Sequence, residues 1–183
     1  MRKHITALPT GSVIIELGCG TGNHIRTLAE ALPQHYYAGF DQSLEMLKAA
    51  RAATDQVIFA QGDAQWRWPY SDAYADLIFN VDVIHYIQDL TIFFREAQRV
   101  LKPGGALLIA TDSEDDLHNR SLTRFFPESL AYELARYPKA DALYDAAVGA
   151  GLRVLGAETI QGTRKSMTPT WPTSKPSVHQ RCG

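Results

Sequence analysis

Short apolar runs alternate with amphipathic stretches along most of the chain. Val13 to Leu17 is apolar except for Glu16, a pattern that suits a strand covered on both faces. Ile25, Leu28, Ala29 and Leu32 then fall at the i, i+3, i+4, i+7 spacing of a helix. Tyr36 to Phe40 predicts a second strand, and Ser43 an N-cap for a helix with Leu44, Leu47 and Ala50 on one face. Val57 to Ala60 and Ala75 to Val81 predict the third and fourth strands. Leu90, Phe93, Phe94, Ala97 and Leu101 form the inner stripe of the next helix. Lys102-Pro103-Gly104-Gly105 stops it, because Pro cannot continue a helix and Gly accepts positive φ. Ala106 to Ala110 predicts the fifth strand. Asp112 to Arg136 breaks the rhythm; it is rich in charge, contains Phe125-Phe126-Pro127, and predicts one or two short helices over the sheet. Ala140, Leu143, Tyr144 and Ala147 restore a helical stripe that ends at Gly149 and Gly151, ahead of a sixth strand over Leu152 to Ile160. Strands alternating with helices imply parallel pairing through right-handed crossovers. The expected fold is α/β, an open doubly wound, mostly parallel sheet.

At 183 residues the chain suits one domain with a single core and no need of disulfides. Its 18 Lys+Arg against 20 Asp+Glu leave a net charge of −2, with no electrostatic reason to expect nucleic-acid or anionic-membrane binding. No apolar run approaches the ~20 residues of a bilayer span, and no signal-peptide core follows Met1-Arg2-Lys3. Cys19 and Cys182 suggest neither a disulfide framework nor a zinc site, so a cytoplasmic, reduced setting is the expectation. Charge is uneven, however. Every acidic residue lies at or before Glu158, while Arg164, Lys165, Lys175 and Arg181 follow among Pro169, Pro172, Pro176 and many Thr and Ser. The expected organisation is a folded domain over 1–163 and an irregular basic tail over 164–183, which has too little apolar surface to offset its ordering entropy.

The first strand-to-helix junction reads Glu16-Leu17-Gly18-Cys19-Gly20-Thr21-Gly22-Asn23. Glycines there let the backbone bend sharply and let a ligand approach the main chain. The G-x-G-x-G spacing departs from the G-x-G-x-x-G of dinucleotide sites, and Glu16 is unwelcome to a pyrophosphate. A cationic amine or sulfonium would welcome that carboxylate. Asp41 ends the second strand, where a carboxylate can accept hydrogen bonds from both hydroxyls of a ribose; Gln42, Ser43 and Met46 follow, and the Met46 thioether suits an adenine face. Gly62-Asp63-Ala64 after the third strand places an acid where it can read the exocyclic amine of adenine. All three signals fall at strand carboxyl ends, where doubly wound sheets bind ligands.

These segments, with Asp41-Gln42-Ser43-Leu44-Glu45-Met46-Leu47 and Leu101-Lys102-Pro103-Gly104-Gly105, resemble the ordered motifs of class I S-adenosylmethionine-dependent methyltransferases. The resemblance covers roughly residues 11–112, and more loosely extends to about 160. It implies S-adenosylmethionine as cofactor and S-adenosylhomocysteine as product. It further implies that Gly18, Cys19, Gly20 and Gly22 cradle the methionine part, with Glu16 near its amino group. Asp41, Gln42 and Met46 would serve the ribose and adenine, Asp63 and Ala64 would hold adenine, and Asn80 would line the methionine side through its backbone. Family members usually carry helices before the first strand and a closing sixth and seventh strand. Here only about a dozen residues precede the first strand, and nothing in the tail reads as a seventh. The chain thus resembles the family's cofactor core shortened at both ends.

Asn80-Val81-Asp82-Val83-Ile84-His85-Tyr86 follows the fourth strand, where the sulfonium methyl would point. His85 is the candidate catalytic residue, since an imidazole titrating near 6.5 can take a proton from an acceptor hydroxyl or amine. Asp82 reads as polar lining, Trp66 and Trp68 as packing over the adenine end or the sheet edge, and Asp115 and Asp116 as a solvated loop rather than a metal site. The expected function is methyl transfer to a small-molecule acceptor, with a dimer or partner subunit as one way to complete the acceptor pocket. Two alternatives stand beside it. One is a non-catalytic S-adenosylmethionine-binding module; the other, a nicotinamide-dependent oxidoreductase, is disfavoured by the glycine spacing and Glu16.

Overall fold

The computed structural model of the protein describes residues 2–158 and 178–182. Strands β1 (Val13–Leu17), β2 (Tyr36–Asp41), β3 (Val57–Gln61), β4 (Ala75–Val81) and β5 (Leu101–Ala110) pair in parallel in the order β3-β2-β1-β4-β5. Two further strands, β6 (Leu152–Gly156) and β7 (Val178–Cys182), extend the sheet to β5-β7-β6, with β7 antiparallel to both neighbours. The doubly wound, mostly parallel sheet expected from the sequence is therefore present.

The apolar runs make two cores, one on each face. Helices α1 (Arg2–Ile5), α2 (Asn23–Ala31) and α3 (Leu44–Ala53) cover one side, where Ile5, Ile25, Leu28 and Leu47 pack against Ile14, Leu77, Phe79 and Leu108. Helix α4 (Leu90–Val100) and a later helix, Ala140–Gly149, cover the other, packing Phe93, Phe94, Ala97, Leu143 and Ala147 on Ile15, Leu17, Ile78, Leu107 and Ile109. Phe93 and Phe94 are fully buried, and truncating either one should cost ~3–5 kcal/mol through the cavity left behind. Between these two helices lie α5 (Glu114–His118), α6 (Ser121–Phe125) and α7 (Ser129–Arg136), which makes Ala140–Gly149 α8.

Four expectations are revised. Asp112 to Arg136 holds three short helices rather than one or two, because Ser113 closes a capping box with Asp116 and starts a helix of its own. The Lys102–Gly105 stop belongs to β5: α4 ends at Val100, and the ladder to β4 shifts register between Ala75 and Leu77, so the Pro-Gly-Gly segment is an irregularity inside the strand. The sixth strand ends at Gly156, and residues 159–160 lie outside the described residues. The fourth revision is the tail. Val178–Cys182 is a seventh strand between β5 and β6, held by backbone pairing on both sides. A five-residue inner strand needs little apolar patterning when both edges are paired, so composition dominated by the preceding prolines concealed it. Residues 164–177 of that tail lie outside the described residues. Among the described residues no helix is long and apolar enough to cross a membrane.

Candidate functional site

Parallel pairing brings the carboxyl ends of the central strands to one edge: Leu17 of β1 lies beside Phe40 of β2 and Asn80 of β4, and Asn80 beside Ile109 of β5. The glycine loop leaves that edge. Gly18, Gly20 and Gly22 all adopt positive φ, at 63°, 53° and 75°. Their reasons differ. A Cβ on Gly18 would lie 2.4 Å from Val83, and one on Gly22 would lie 2.9 Å from Phe59. A Cβ on Gly20 would meet nothing within 4 Å, so this is the loop residue whose backbone faces open space.

Gly22 is the N-cap of α2 but has no side chain with which to cap it. Glu16 does so from β1 instead: Ile25 N–H donates to Oε2 at 3.1 Å, and Oε1 lies 3.1 Å from His24 Nδ1. A carboxylate at a helix N-terminus is electrostatically favoured. Glu16 is only 1% exposed. Its burial pushes the carboxyl above its usual value, while the bond to Glu16 pushes His24 up. Cys19 contributes its backbone N–H, which donates to Phe40 O at 3.2 Å. Burial pushes its thiol up to about 12, with Glu16 and Asp41 adding to the effect, so the group stays protonated and unreactive.

Asp41 ends β2 and ties the loops together. Its Oδ2 accepts from Gly20 N–H at 2.8 Å and its Oδ1 from Ser43 N–H at 2.9 Å. Each carboxylate oxygen has a second lone pair free for a ligand. Ser43 Oγ accepts from Met46 N–H and so caps α3 as the sequence implied. Gln42 and Met46 are exposed beside it. Asp63 closes a turn after β3 by accepting from Gln65 N–H at 2.9 Å; Ala64 O accepts from Trp68 Nε1 at 3.1 Å. The two tryptophans divide. Trp68 is a core residue, 5.4 Å from Phe93 and 5.9 Å from Phe40, whereas Trp66 is exposed.

The far half of the edge is built by β4, β5 and the short helices. Asn80 is fully buried and neither atom of its side-chain amide has a partner. Asp82 follows at φ 55°, a left-handed conformation rare outside glycine. Burial raises its carboxyl, and Asp112 adds to that shift. His85, in a 3₁₀ turn over Ile84–Tyr86, is 9% exposed, and its Nδ1 has no partner. Its ring stacks 4.3 Å from Tyr137 and lies 4.2 Å from Tyr86. Burial and then Arg136 hold its pKa down, so the imidazole is neutral near pH 7.

Arg120 clasps this half together. It donates Nε to Asp112 at 2.7 Å with a second bond from Nη2, donates to Tyr137 Oη at 2.8 Å, and lies 3.6 Å from Glu133. Arg136 pairs with the same Glu133 at 3.6 Å and covers the rings of Tyr86 and Tyr132 at 5.0 and 5.3 Å. Sequence reading missed this cluster. The charge density of Asp112 to Arg136 was its only signal, and charge density does not reveal which groups pair. Among the described residues no group of three or more His, Cys, Asp or Glu is arranged to hold a metal ion.

A family model described as "Methyltransferase domain" matches residues 15–109. The chain is 37% identical over 128 residues to the trans-aconitate 2-methyltransferase of Azoarcus sp. (strain BH72), covering 70% of this chain and 50% of the relative. It is 32% identical over 142 residues to the malonyl-[acyl-carrier protein] O-methyltransferase of Hahella chejuensis, covering 76% and 50%. The chain thus spans about half the length of these curated relatives. An S-adenosylmethionine-dependent methyltransferase from Mesorhizobium loti superimposes with a TM-score of 0.72 at 21% identity, covering 97% of this chain and 94% of that one, which supports the fold.

Proposed function

Because this chain belongs to the class I S-adenosylmethionine-dependent methyltransferase family, we propose that it transfers a methyl group from S-adenosylmethionine to a small-molecule acceptor. The observation that carries this reading is the Asp41 carboxylate bound to Gly20 N–H at 2.8 Å, beside loop backbone with open space over it. That combination fits a ligand with a ribose and a zwitterionic tail. Asp41 has lone pairs left for two hydroxyls, and Gly20 leaves room for close main-chain approach. The negative charge of Glu16 and Asp41 favours a sulfonium nearby. Asp63 and Ala64 would hold the adenine, with Gln42 and Met46 at its rim, and the glycine loop and Asn80 backbone the methionine part.

When bound, S-adenosylmethionine supplies an electrophilic methyl: an acceptor lone pair takes the carbon as the S–C bond breaks and sulfur keeps the electron pair. The protein's part is alignment, exclusion of water and handling of a proton, and alignment of this kind is worth ~7–11 kcal/mol of a barrier. Neutral His85 suits a proton acceptor on the acceptor side. Of the acceptors named in the relatives above, trans-aconitate is a small molecule and supports that class here, while malonyl-[acyl-carrier protein] is borne on a protein. Calorimetric titration with S-adenosylhomocysteine, run beside a radiolabelled methyl-transfer screen, tests the proposal. Saturable binding together with transfer supports it. Binding without transfer to any compound of the panel would support a non-catalytic binding module, and no binding would overturn both.

A further inference from the structure

Strands β3 and β4 are joined by Gly62 to Tyr74, a segment with neither helix nor strand that carries Asp63 and Ala64. A connection of this length without structure of its own is uncommon in a compact domain, and it keeps one shape only where outside groups hold its backbone. One residue of α4 does most of the holding. Arg99 donates to Tyr70 O at 2.9 Å and to Trp68 O at 3.3 Å, and it pairs with the Asp72 carboxylate at 2.7 Å. The Arg99 carbonyl also accepts from Ala73 N–H at 2.9 Å. Ala73 stands at φ 50°, a left-handed conformation that an alanine keeps only when its surroundings impose it.

Glu96, one turn earlier in α4, completes the grip. It accepts two bonds from the Arg99 guanidinium, at 2.9 and 2.6 Å, and its Oε2 also accepts from Trp68 N–H at 2.9 Å. Both side chains are only 14% exposed, so removing either one strands the other. The pair therefore holds both backbone groups of Trp68, while Phe93 of the same helix packs on its ring at 5.4 Å. From that fixed place the indole reaches back along the loop, where Nε1 donates to Ala64 O at 3.1 Å. Asp63 adjoins it and closes its own turn by accepting from Gln65 N–H and Trp66 N–H. A continuous line of hydrogen bonds thus runs from α4 through Trp68 to the two residues proposed above to hold adenine.

We propose that Arg99 and Glu96 are positioning residues for recognition of the purine base, holding Trp68, and through it Ala64 and Asp63, where the base edge is read. The inference rests on the cofactor reading above and adds that selectivity for adenine is set from α4, by side chains that do not touch the ligand. A carboxylate tells an exocyclic amine from an oxo group by accepting from the first and repelling the second. Hydrogen bonds weaken steeply with misalignment, so a loop that drifts loses this distinction before it loses the ligand. The ribose contact is separate, because the Asp41 carboxylate is braced by Gly20 and Ser43 rather than by this loop.

The test is isothermal titration of the full chain with S-adenosylhomocysteine and with S-inosylhomocysteine, which carries an oxo group in place of the exocyclic amine. The parent protein is expected to prefer the adenine compound by at least ~tenfold. Arg99→Gln should reduce that preference to below ~threefold, chiefly by weakening S-adenosylhomocysteine, since the ribose and methionine contacts common to both compounds remain. Trp68→Phe keeps an aromatic ring in the core but removes the Nε1 donor, and should reduce the preference likewise; it carries the test if Arg99→Gln does not fold. A merely structural clasp would lower Tm and leave the ratio of the two affinities unchanged in the folded variants, and that result overturns the inference. Equal affinity of the parent for the two compounds overturns it as well, with the ribose assignment intact. Absence of S-adenosylhomocysteine binding in the parent overturns the functional reading and the inference with it.

Discussion

Replacing Asp41 with alanine removes three things at once: the brace on Gly20, the brace on Ser43, and the proposed ribose contact. The first two are visible as N–H···O bonds of 2.8 and 2.9 Å to a charged acceptor. Hydrogen bonds to charged groups contribute ~1.5–3 kcal/mol each. Asp41 is only half-buried, so water can satisfy the freed amides, and the low end applies. The loss of stability is then ~3 kcal/mol. For a chain of this length, 1 kcal/mol moves Tm by ~2–4 °C, so the ligand-free midpoint should fall by ~6–12 °C. Loss of two ribose hydrogen bonds at ~1.5 kcal/mol each should weaken S-adenosylhomocysteine by ~100-fold, since 1.4 kcal/mol is a factor of ten. Asp41→Asn keeps one acceptor oxygen but presents an amide to the other N–H, and should fall between the two.

Differential scanning calorimetry without ligand, paired with isothermal titration, separates the contributions. A lower Tm with unchanged affinity for S-adenosylhomocysteine would mean that Asp41 braces the loop and nothing more. An unchanged Tm would show that water replaces both braces at no cost, and the worked magnitude would be wrong.

Other consequences follow from the same geometry. Gly22→Ala should destabilise more than Gly20→Ala, because only the former drives a Cβ to 2.9 Å from Phe59, whereas Gly20→Ala should chiefly weaken S-adenosylhomocysteine; thermal melts and titrations distinguish the two. Truncation before Val178 should lower Tm by several degrees and promote aggregation by uncovering the β5 and β6 edges, measured by light scattering, rather than leave stability unchanged as an irregular tail would. His85 is held below its ordinary pKa, first by burial and then by Arg136, so the unfolded chain takes up a proton there before the folded one does. The His85 contribution to stability should therefore decline as pH falls below about 6.5, opposite in sign to that of His24, and Arg136→Gln should raise the His85 pKa seen by NMR.

What the sequence displayed was chemistry that is local in the chain. The glycine loop lies within seven residues, and Asp41, Asp63 and Asn80 each sit at a strand end found from hydrophobic period alone. Parallel pairing then brings those ends to one edge without further information. The half of the edge built by β4, β5 and the short helices is not local. Arg120 acts through Asp112, Glu133 and Tyr137, and Tyr137 reaches back to His85 across 52 positions. No periodicity encodes which acid meets which base in a charged segment. The seventh strand escaped for a related reason, since its evidence is the two open edges waiting for it rather than its own composition.

Glu16 shows how a motif residue can have a structural role before any role toward a ligand. Glycine at position 22 is demanded by φ 75° and by Phe59, and the same glycine leaves α2 without a cap. The carboxylate two residues before the loop supplies that cap to Ile25, at 1% exposure. Burial raises its pKa, so ionising Glu16 in the folded state has a cost, and this contribution to stability diminishes as pH rises from about 4.5. Glu16→Gln keeps an oxygen for the Ile25 N–H and removes that cost, though it also loses the charge that faces His24. It should melt near the parent at pH 7. Glu16→Ala strands the buried N–H and should lose ~1–3 kcal/mol. If Glu16→Gln instead falls as far as Glu16→Ala, the charge itself holds the loop, and the cap is not the reason for an acid at this position.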